Sequence, residues 1–258
     1  MKRIFLIAGC IIPAMAWAQQ GNFVLQVKIA HIGPNAKAHL YYPTGEKSVS
    51  DSAVAKNGVF EFKGVLAEPV LAALQVDHEG AGLAHVQGAD MLPLYLEKGH
   101  TNVIADDSVK LATIPGSKLN REAAEYQMLT APVQDSMNKH YAAFYAAPEA
   151  KQKDKVFNDS LTALYNAQGA KLLAARTHFI QAHPGSFVSM MTLREMAYQE
   201  PDILQLEPVF KMLSPGMQNT SYGKEIGGYI AKAKITAVGV MAPLFSQPDA
   251  NGRQVSLQ

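Results

Sequence analysis

The chain has almost no cysteine. Among 258 residues the one thiol is Cys10, and it falls within the first apolar stretch. Everything after it is therefore without a disulfide, a CxxC pair or a cysteine-based zinc site. Surplus charge is equally scarce: 23 basic against 22 acidic side chains leave a net of +1. Nucleic-acid binding is excluded, because no excess of Lys and Arg is present to neutralise phosphates. No apolar run reaches the roughly 20 residues of a membrane-spanning helix. Internal repeats, low-complexity tracts and long linkers are missing too. What remains is 48% hydrophobic and 17% charged. That is the composition of a chain that buries a core, at a length for one large domain or two ordinary ones.

Residues 1–18 read as a secretory signal. Lys2 and Arg3 form the basic start, Ile4 to Met15 the apolar stretch, and Ala16-Trp17-Ala18 the small-x-small cleavage site before Gln19. Removing 18 of 258 residues leaves 240, with 21 basic and 22 acidic side chains and no cysteine. This suits an oxidising export compartment, the periplasm, where a lone thiol is a liability. Ile7-Ala8-Gly9-Cys10 also resembles a bacterial lipobox, so lipid anchoring at Cys10 is an alternative. It is disfavoured because only five apolar residues precede Gly9 and the run continues past the cysteine.

Residues 19–115 carry a period of two. Phe23-Val24-Leu25-Gln26-Val27-Lys28-Ile29 alternates apolar and polar, as a half-buried strand does. Gly33-Pro34-Asn35 interrupts the pattern, and Ala38 to Tyr42 resumes it. Asn57-Gly58, between Ser50–Ala55 and Val59–Phe62, offers the two positive-φ positions of a type I′ hairpin turn. Val70–Val76 reads as a further strand. Leu92–Glu97, Lys98-Gly99 and Thr101–Ile104 read as another hairpin, and Val109–Ile114 as the last strand. Six to eight short strands at this spacing predict an antiparallel β-sandwich or barrel. The segment holds 7 basic and 10 acidic residues, a net of −3.

From residue 116 to about 237 the period becomes helical, giving an α+β chain. Ser117 or Asn120 caps a helix, with Glu122 and Glu125 favouring its positive end. Tyr126, Leu129, Val133, Met137, Tyr141 and Phe144 form one apolar stripe, and Pro132 introduces a kink. After Pro148 a second long helix places Phe157, Leu161, Leu164, Leu172 and Phe179 on one face and closes at Pro184-Gly185. Phe187–Tyr198, Ile203–Leu213 and Lys224–Thr236 follow. The stripes are expected to be buried, since each buried Leu or Phe stabilises by about 1.5–3 kcal/mol.

No constellation of reactive side chains stands out. The eight histidines, His31, His39, His78, His85, His100, His140, His178 and His183, include no pair at the i, i+4 spacing of a helical metal site. His78 between Asp77 and Glu79 is the one tight His/acid cluster, and it reads as a solvated turn rather than a zinc site, which needs three or four convergent ligands. Asp106-Asp107 reads as solvated turn residues. Asp249-Ala250-Asn251-Gly252 opens like a calcium loop, but no acid follows at its twelfth position, and a β-turn after Pro248 accounts for it. GxSxG, SxxK and a glycine-rich phosphate loop are all missing, and Gly227-Gly228 falls inside a helical pattern. Tyr41-Tyr42, Tyr95 and Tyr126 serve either a core or an aromatic surface. No catalytic, cofactor-binding or metal-ligating residue is assigned.

The tail is the most specific segment. Gly239-Val240-Met241-Ala242-Pro243-Leu244-Phe245, followed by Asp249-Ala250-Asn251-Gly252-Arg253-Gln254-Val255-Ser256-Leu257, resembles the opening of a thioredoxin-like domain of the thiol-specific-antioxidant type. There a G-x-x-A-P-x-F segment precedes a D-x-N-G-[KR]-x-V-S-L hairpin, and W-C-x-x-C follows later. Residues 238–258 are accordingly expected to be the truncated start of such a domain, without its redox pair. The remainder is similar to exported thiol–disulfide oxidoreductases of Bacteroidetes type, which place a β-rich domain of unknown function ahead of the redox module. Asn57-Gly58-Val59-Phe60-Glu61-Phe62-Lys63-Gly64, Leu94-Tyr95-Leu96-Glu97-Lys98-Gly99, Gly116-Ser117-Lys118-Leu119-Asn120 and His183-Pro184-Gly185-Ser186-Phe187-Val188-Ser189 carry the likeness. The resemblance implies an accessory role: positioning the redox module, recruiting a protein substrate or redox partner, or dimerising the enzyme. A free-standing periplasmic binding or scaffold protein is the alternative, and a cysteine-independent hydrolase is a third reading that lacks any nucleophile–base pair.

Overall fold

The structure, a computed structural model, describes residues 21–45, 47–80, 82, 90–199, 202–237, 240–241 and 246–256. The expected signal at 1–18 with its Cys10, His85, and the Ala242-Pro243-Leu244-Phe245 segment lie outside them. Strands come first and helices follow, in two units divided between Gly116 and Ser117.

The first unit contains seven described strands: β1 (Gly21–Ile29), β2 (Lys37–Thr44), β3 (Lys47–Val54), β4 (Val59–Leu66), β5 (Val70–Asp77), β6 (Asp90–Leu96) and β7 (Gly99–Ala105). One sheet runs β4-β1-β7 and the other β3-β2-β5-β6. The period of two decides which side chains turn inward. Phe23, Leu25, Val27 and Ile29 of β1 join Phe60 and Phe62 of β4 and Val103 of β7. From the other sheet come Ala38 and Leu40, Ala72, Leu74 and Val76, then Leu94 and Leu96. All belong to one continuous core, so each sheet supplies the apolar surface that the other needs.

Asn57 and Gly58 have φ of 53° and 75°, the two left-handed positions of the expected turn. Lys56 and Val59 exchange backbone hydrogen bonds across it at 2.9 and 3.1 Å. Beyond that pair the strands part, because β3 goes to one sheet and β4 to the other. The hairpin expected around Lys98-Gly99 does not form. Gly99 turns the chain at a φ of 100°, and β7 leaves β6 to pair in parallel with β1, Leu25 opposite Thr101 and Val27 opposite Val103. The layered β arrangement is therefore mixed rather than wholly antiparallel. The expected strand at Val109–Ile114 is a 3₁₀ turn over Val109–Leu111, with Thr113 alone bridging to Ile104. The carboxylate of Asp90 draws in the N–H groups of Val109 and Lys110 and so bends this stretch out of extended geometry.

The second unit begins with α1 (Lys118–Ala146), a short α2 (Glu149–Gln152) and α3 (Lys155–Ala182). Then come α4 (Phe187–Gln199), a 3₁₀ turn at Ile203–Leu206, α5 (Glu207–Met212), α6 (Pro215–Gln218) and α7 (Ser221–Thr236). The helix expected over Ile203–Leu213 is thus divided between 3₁₀ and α geometry. Ser117, Asp154, Asp202, Ser214 and Thr220 each cap a helical start by accepting a backbone N–H, which satisfies donors the helix itself cannot. Ile180, Met190, Leu193, Met196, Val209, Ile226 and Ile230 form the core of this unit. The α1 stripe is buried at Met137 only, and Leu129 and Tyr141 stand exposed, against the expectation of a covered face. Further on, β8 (Ser246–Pro248) and β9 (Gln254–Ser256) make an exposed hairpin.

Gly64 marks the tightest point of the first core. A Cβ there would intrude on the Phe23 ring and the Tyr42 hydroxyl, whose rings meet edge to face at 5.5 Å and 87°. Gly64→Val is expected to cost about 1–3 kcal/mol through overpacking. Thermal unfolding of the variant should show a lowered Tm, whereas Gly228→Ala, in open space on α7 with ordinary helical backbone, should not.

Candidate functional site

Two clusters place hydroxyl, imidazole and carboxylate groups together. In the first, Asp90 starts β6 beside the end of β5 and is largely buried. Its carboxylate accepts the Ser108 hydroxyl at 2.5 Å, meets His78 Nε2 at 2.8 Å, and accepts the N–H groups of Val109 and Lys110 at 3.1 and 3.2 Å. Burial works against the charge, but the hydrogen bonds from Ser108, His78 and the two backbone donors outweigh it and hold Asp90 below the usual carboxylate range. Asp77, expected in a solvated turn, is fully buried and turned to the backbone, accepting the N–H groups of Glu79, Gly80 and Gly82. His78 thus takes its partner from 12 positions away rather than from its neighbours.

The second cluster lies in the helical unit. Glu122, near the start of α1, is buried and accepts the Ser186 hydroxyl at 2.7 Å. His183, at the end of α3, has Nδ1 3.7 Å from Glu122 and Nε2 3.1 Å from Glu125. Its ring stacks on Phe179 at 4.5 Å. Lys118 adds a cation 3.3 Å from Glu122. A cavity of about 340 Å³ opens over Lys118, Arg121, Glu125 and the His183-Pro184-Gly185 turn.

The order of the groups decides what these clusters can do. An activated serine needs an imidazole on its hydroxyl and a carboxylate behind the imidazole. In both places the carboxylate stands between the other two, so the hydroxyl donates to an acid and no imidazole accepts its proton. Ser186 Oγ also accepts the Val188 N–H at 3.1 Å, the work of a helix cap. Nor do the acids converge for a cation: Glu122 and Glu125 meet opposite nitrogens of His183, and among the described residues no group of three or more His, Cys, Asp or Glu can hold a metal. Both clusters are structural ties.

The remaining candidates disperse. His31 pairs with Asp107 at 3.1 Å on the open surface, while the carbonyl of Asp106 accepts the His31 N–H. The two acids therefore do not act as a pair. His39 lies against Tyr41, and Asp249 uses its carboxylate to accept the N–H groups of Asn251 and Arg253 in the β8–β9 turn. Of the tyrosines, Tyr42 and Tyr95 are buried and Tyr126 meets Phe179 edge on at 5.2 Å. Tyr41 lines a shallow groove of about 440 Å³ with Pro43, Ser48, Leu71, Ala73 and Pro93. Sequence reasoning missed both ties because their partners are distant: Ser186 and Glu122 are 64 positions apart.

Residues 23–123 match a family described as a domain of unknown function (DUF4369). The match runs from β1 into the first turns of α1 and takes in the Asp90 tie and, of the second cluster, Lys118 and Glu122 but not Glu125, His183 or Ser186. No curated protein and no solved structure matches the chain. Among the described residues no helix is long and apolar enough to cross a membrane.

The Asp90 tie has a pH signature. Its folded pKa is depressed, so its stabilisation is fully present above the unfolded value of about 3.9 and is lost as pH falls through the lower folded value. Asp90→Ala leaves the Ser108, Val109 and Lys110 donors without that acceptor and should cost about 1–3 kcal/mol. Denaturant unfolding at pH 7 and pH 3 checks this: the gap between the two proteins should shrink at pH 3.

Proposed function

We propose that the chain is the accessory part of an exported thiol–disulfide oxidoreductase, acting in the periplasm beside a redox module whose CxxC pair is not among residues 1–258. The tail carries this reading. Its resemblance to the start of a thioredoxin-like domain covers Asp249–Leu257, and the β8–β9 hairpin built there is exposed along both strands. A two-stranded hairpin by itself is marginal in water, and Val255 on this one is a half-exposed apolar side chain among the described residues. Such a hairpin suits the rim of a larger sheet. The match of residues 23–123 to a domain of unknown function supports the β-rich half of the resemblance.

Sulfur chemistry agrees with an accessory role. Exchange needs a thiolate, and the one thiol, Cys10, falls in the expected signal. A free-standing periplasmic binding or scaffold protein is the second reading, favoured by the groove beside Tyr41 and Leu71.

Insulin reduction by dithiothreitol tests the proposal. Residues 19–258 should give no turnover above the dithiothreitol background, and the same chain extended through an in-frame W-C-x-x-C segment should be active. Turnover by the short form would overturn the accessory assignment. A coding sequence with no such segment downstream of codon 258 would favour the scaffold.

A further inference from the structure

The long helices α1 and α3 run antiparallel, with Glu122 and Glu125 near the start of one beside His183 at the end of the other. Near that end their shared face is covered. Arg176 of α3 donates to Glu195 and Gln199 of α4 at 2.5 and 3.0 Å, and Ile180 joins the core with Met190 and Leu193. At about 100° per residue, the stripe of α3 holding Arg176 and Ile180 continues back through Leu173, Gly169, Tyr165, Thr162 and Asn158. The matching stripe of α1 holds Gln134, Asn138, Tyr141 and Tyr145. Here the cover stops: Tyr141 and Tyr145 are 60% and 61% exposed, Tyr165 49% and Leu173 52%. Between Val133 and Gly169 the only buried side chain in either long helix is Met137.

We propose that this distal face is the contact between two copies of the chain, each laying its hairpin on the other to complete a four-helix bundle. Charge and area both favour a second copy. None of the side chains named above in the two distal stripes is charged. An uncharged face does not repel a second copy of itself and offers an acidic or basic partner nothing to pair with. Lys155–Leu173 is 19 residues, about 28 Å of helix, and two helices are each about 10 Å wide. The face is then about 560 Å² per copy, or about 1,100 Å² for a pair. That just clears the roughly 1,000 Å² of a specific interface and falls short of obligate dimers. Tyrosine suits such a surface, large and stiff with a polar tip. Four helices packed as two hairpins are an ordinary bundle. The choice of dimerisation among accessory roles rests on the function proposed above. The contact itself is measured without any redox assay, so each can fail alone.

Sedimentation equilibrium of the full chain, purified after export, tests it. A reversible dimer is expected at about 100 µM, in keeping with an interface of this size. The pair Tyr141→Glu and Leu173→Glu should weaken it at least 100-fold, about a tenfold step for each substitution. Both side chains are exposed, so the circular dichroism spectrum should be unchanged. Hydrogen exchange of the unaltered chain gives a second readout: segments 134–145 and 158–173 should slow as concentration rises while β1 and β4 do not. A monomer at every concentration would overturn the proposal. So would a dimer indifferent to both substitutions, or one whose protection lies elsewhere, including a contact through the sheet groove.

Discussion

The inward side chains of β1 hold the first unit together. Phe23, Leu25, Val27 and Ile29 are all at most 2% exposed, on the central strand of a sheet only three strands wide. So narrow a sheet cannot cover its own apolar face, and the four-stranded sheet must lie against it. The close quarters at Gly64 follow, because Phe23 and Tyr42 meet from opposite layers over a position where no side chain fits. The turns follow too. Asn57-Gly58 and Lys98-Gly99 each carry the chain from one layer to the other rather than back along the same sheet. Their positive-φ residues allow a reversal tight enough to keep the layers in contact.

Buried carboxylates in this protein fasten chain segments. Asp77 gathers three backbone donors, Asp90 gathers two together with a hydroxyl and an imidazole, and Glu122 joins α1 to the start of α4 through Ser186. Asp77 and Asp90 sit at strand ends where the chain must turn, Glu122 in the opening turns of α1, and each satisfies donors that would otherwise be stranded. A carboxylate surrounded by donors is stabilised in its charged form and makes a poor base. The same hydrogen bonds that hold Asp90 below its ordinary range remove it from proton transfer near neutrality.

The periodicities were legible wherever burial alone decides the outcome. Alternation in Phe23–Ile29 and the Asn57-Gly58 pair specify a strand and a turn from local residues. Neighbours were less legible. Thr101, Val103 and Ala105 alternate equally well against β6 or β1, and only the open edge of β1 decides for a parallel pair. The 3₁₀ turn at Val109–Leu111 depends on Asp90, 19 positions earlier. His78 next to Asp77 and Glu79 looked like a local cluster, yet its partner is set by strand register, with Asp90 beside Val76. The α1 stripe shows the opposite limit. Tyr141 has the spacing of a core residue, but spacing says nothing about whether a third helix is there to receive it.

The parallel pairing of β1 with β7 sets a timetable for the newly made chain. Phe23 lies beside Gly99, so 76 further positions must be synthesised before the first sheet can close. Until then β1 has β4 on one side and an unsatisfied edge on the other, with four large apolar side chains wanting cover. Loop closure over that span is slow relative to the Asn57-Gly58 turn, which needs only its immediate neighbours. The interval before β7 arrives is when strands of neighbouring chains could add to the open edge. A holding chaperone that covered β1 through that interval would act on the half-made sheet and would lose its binding surface once residue 105 was in place.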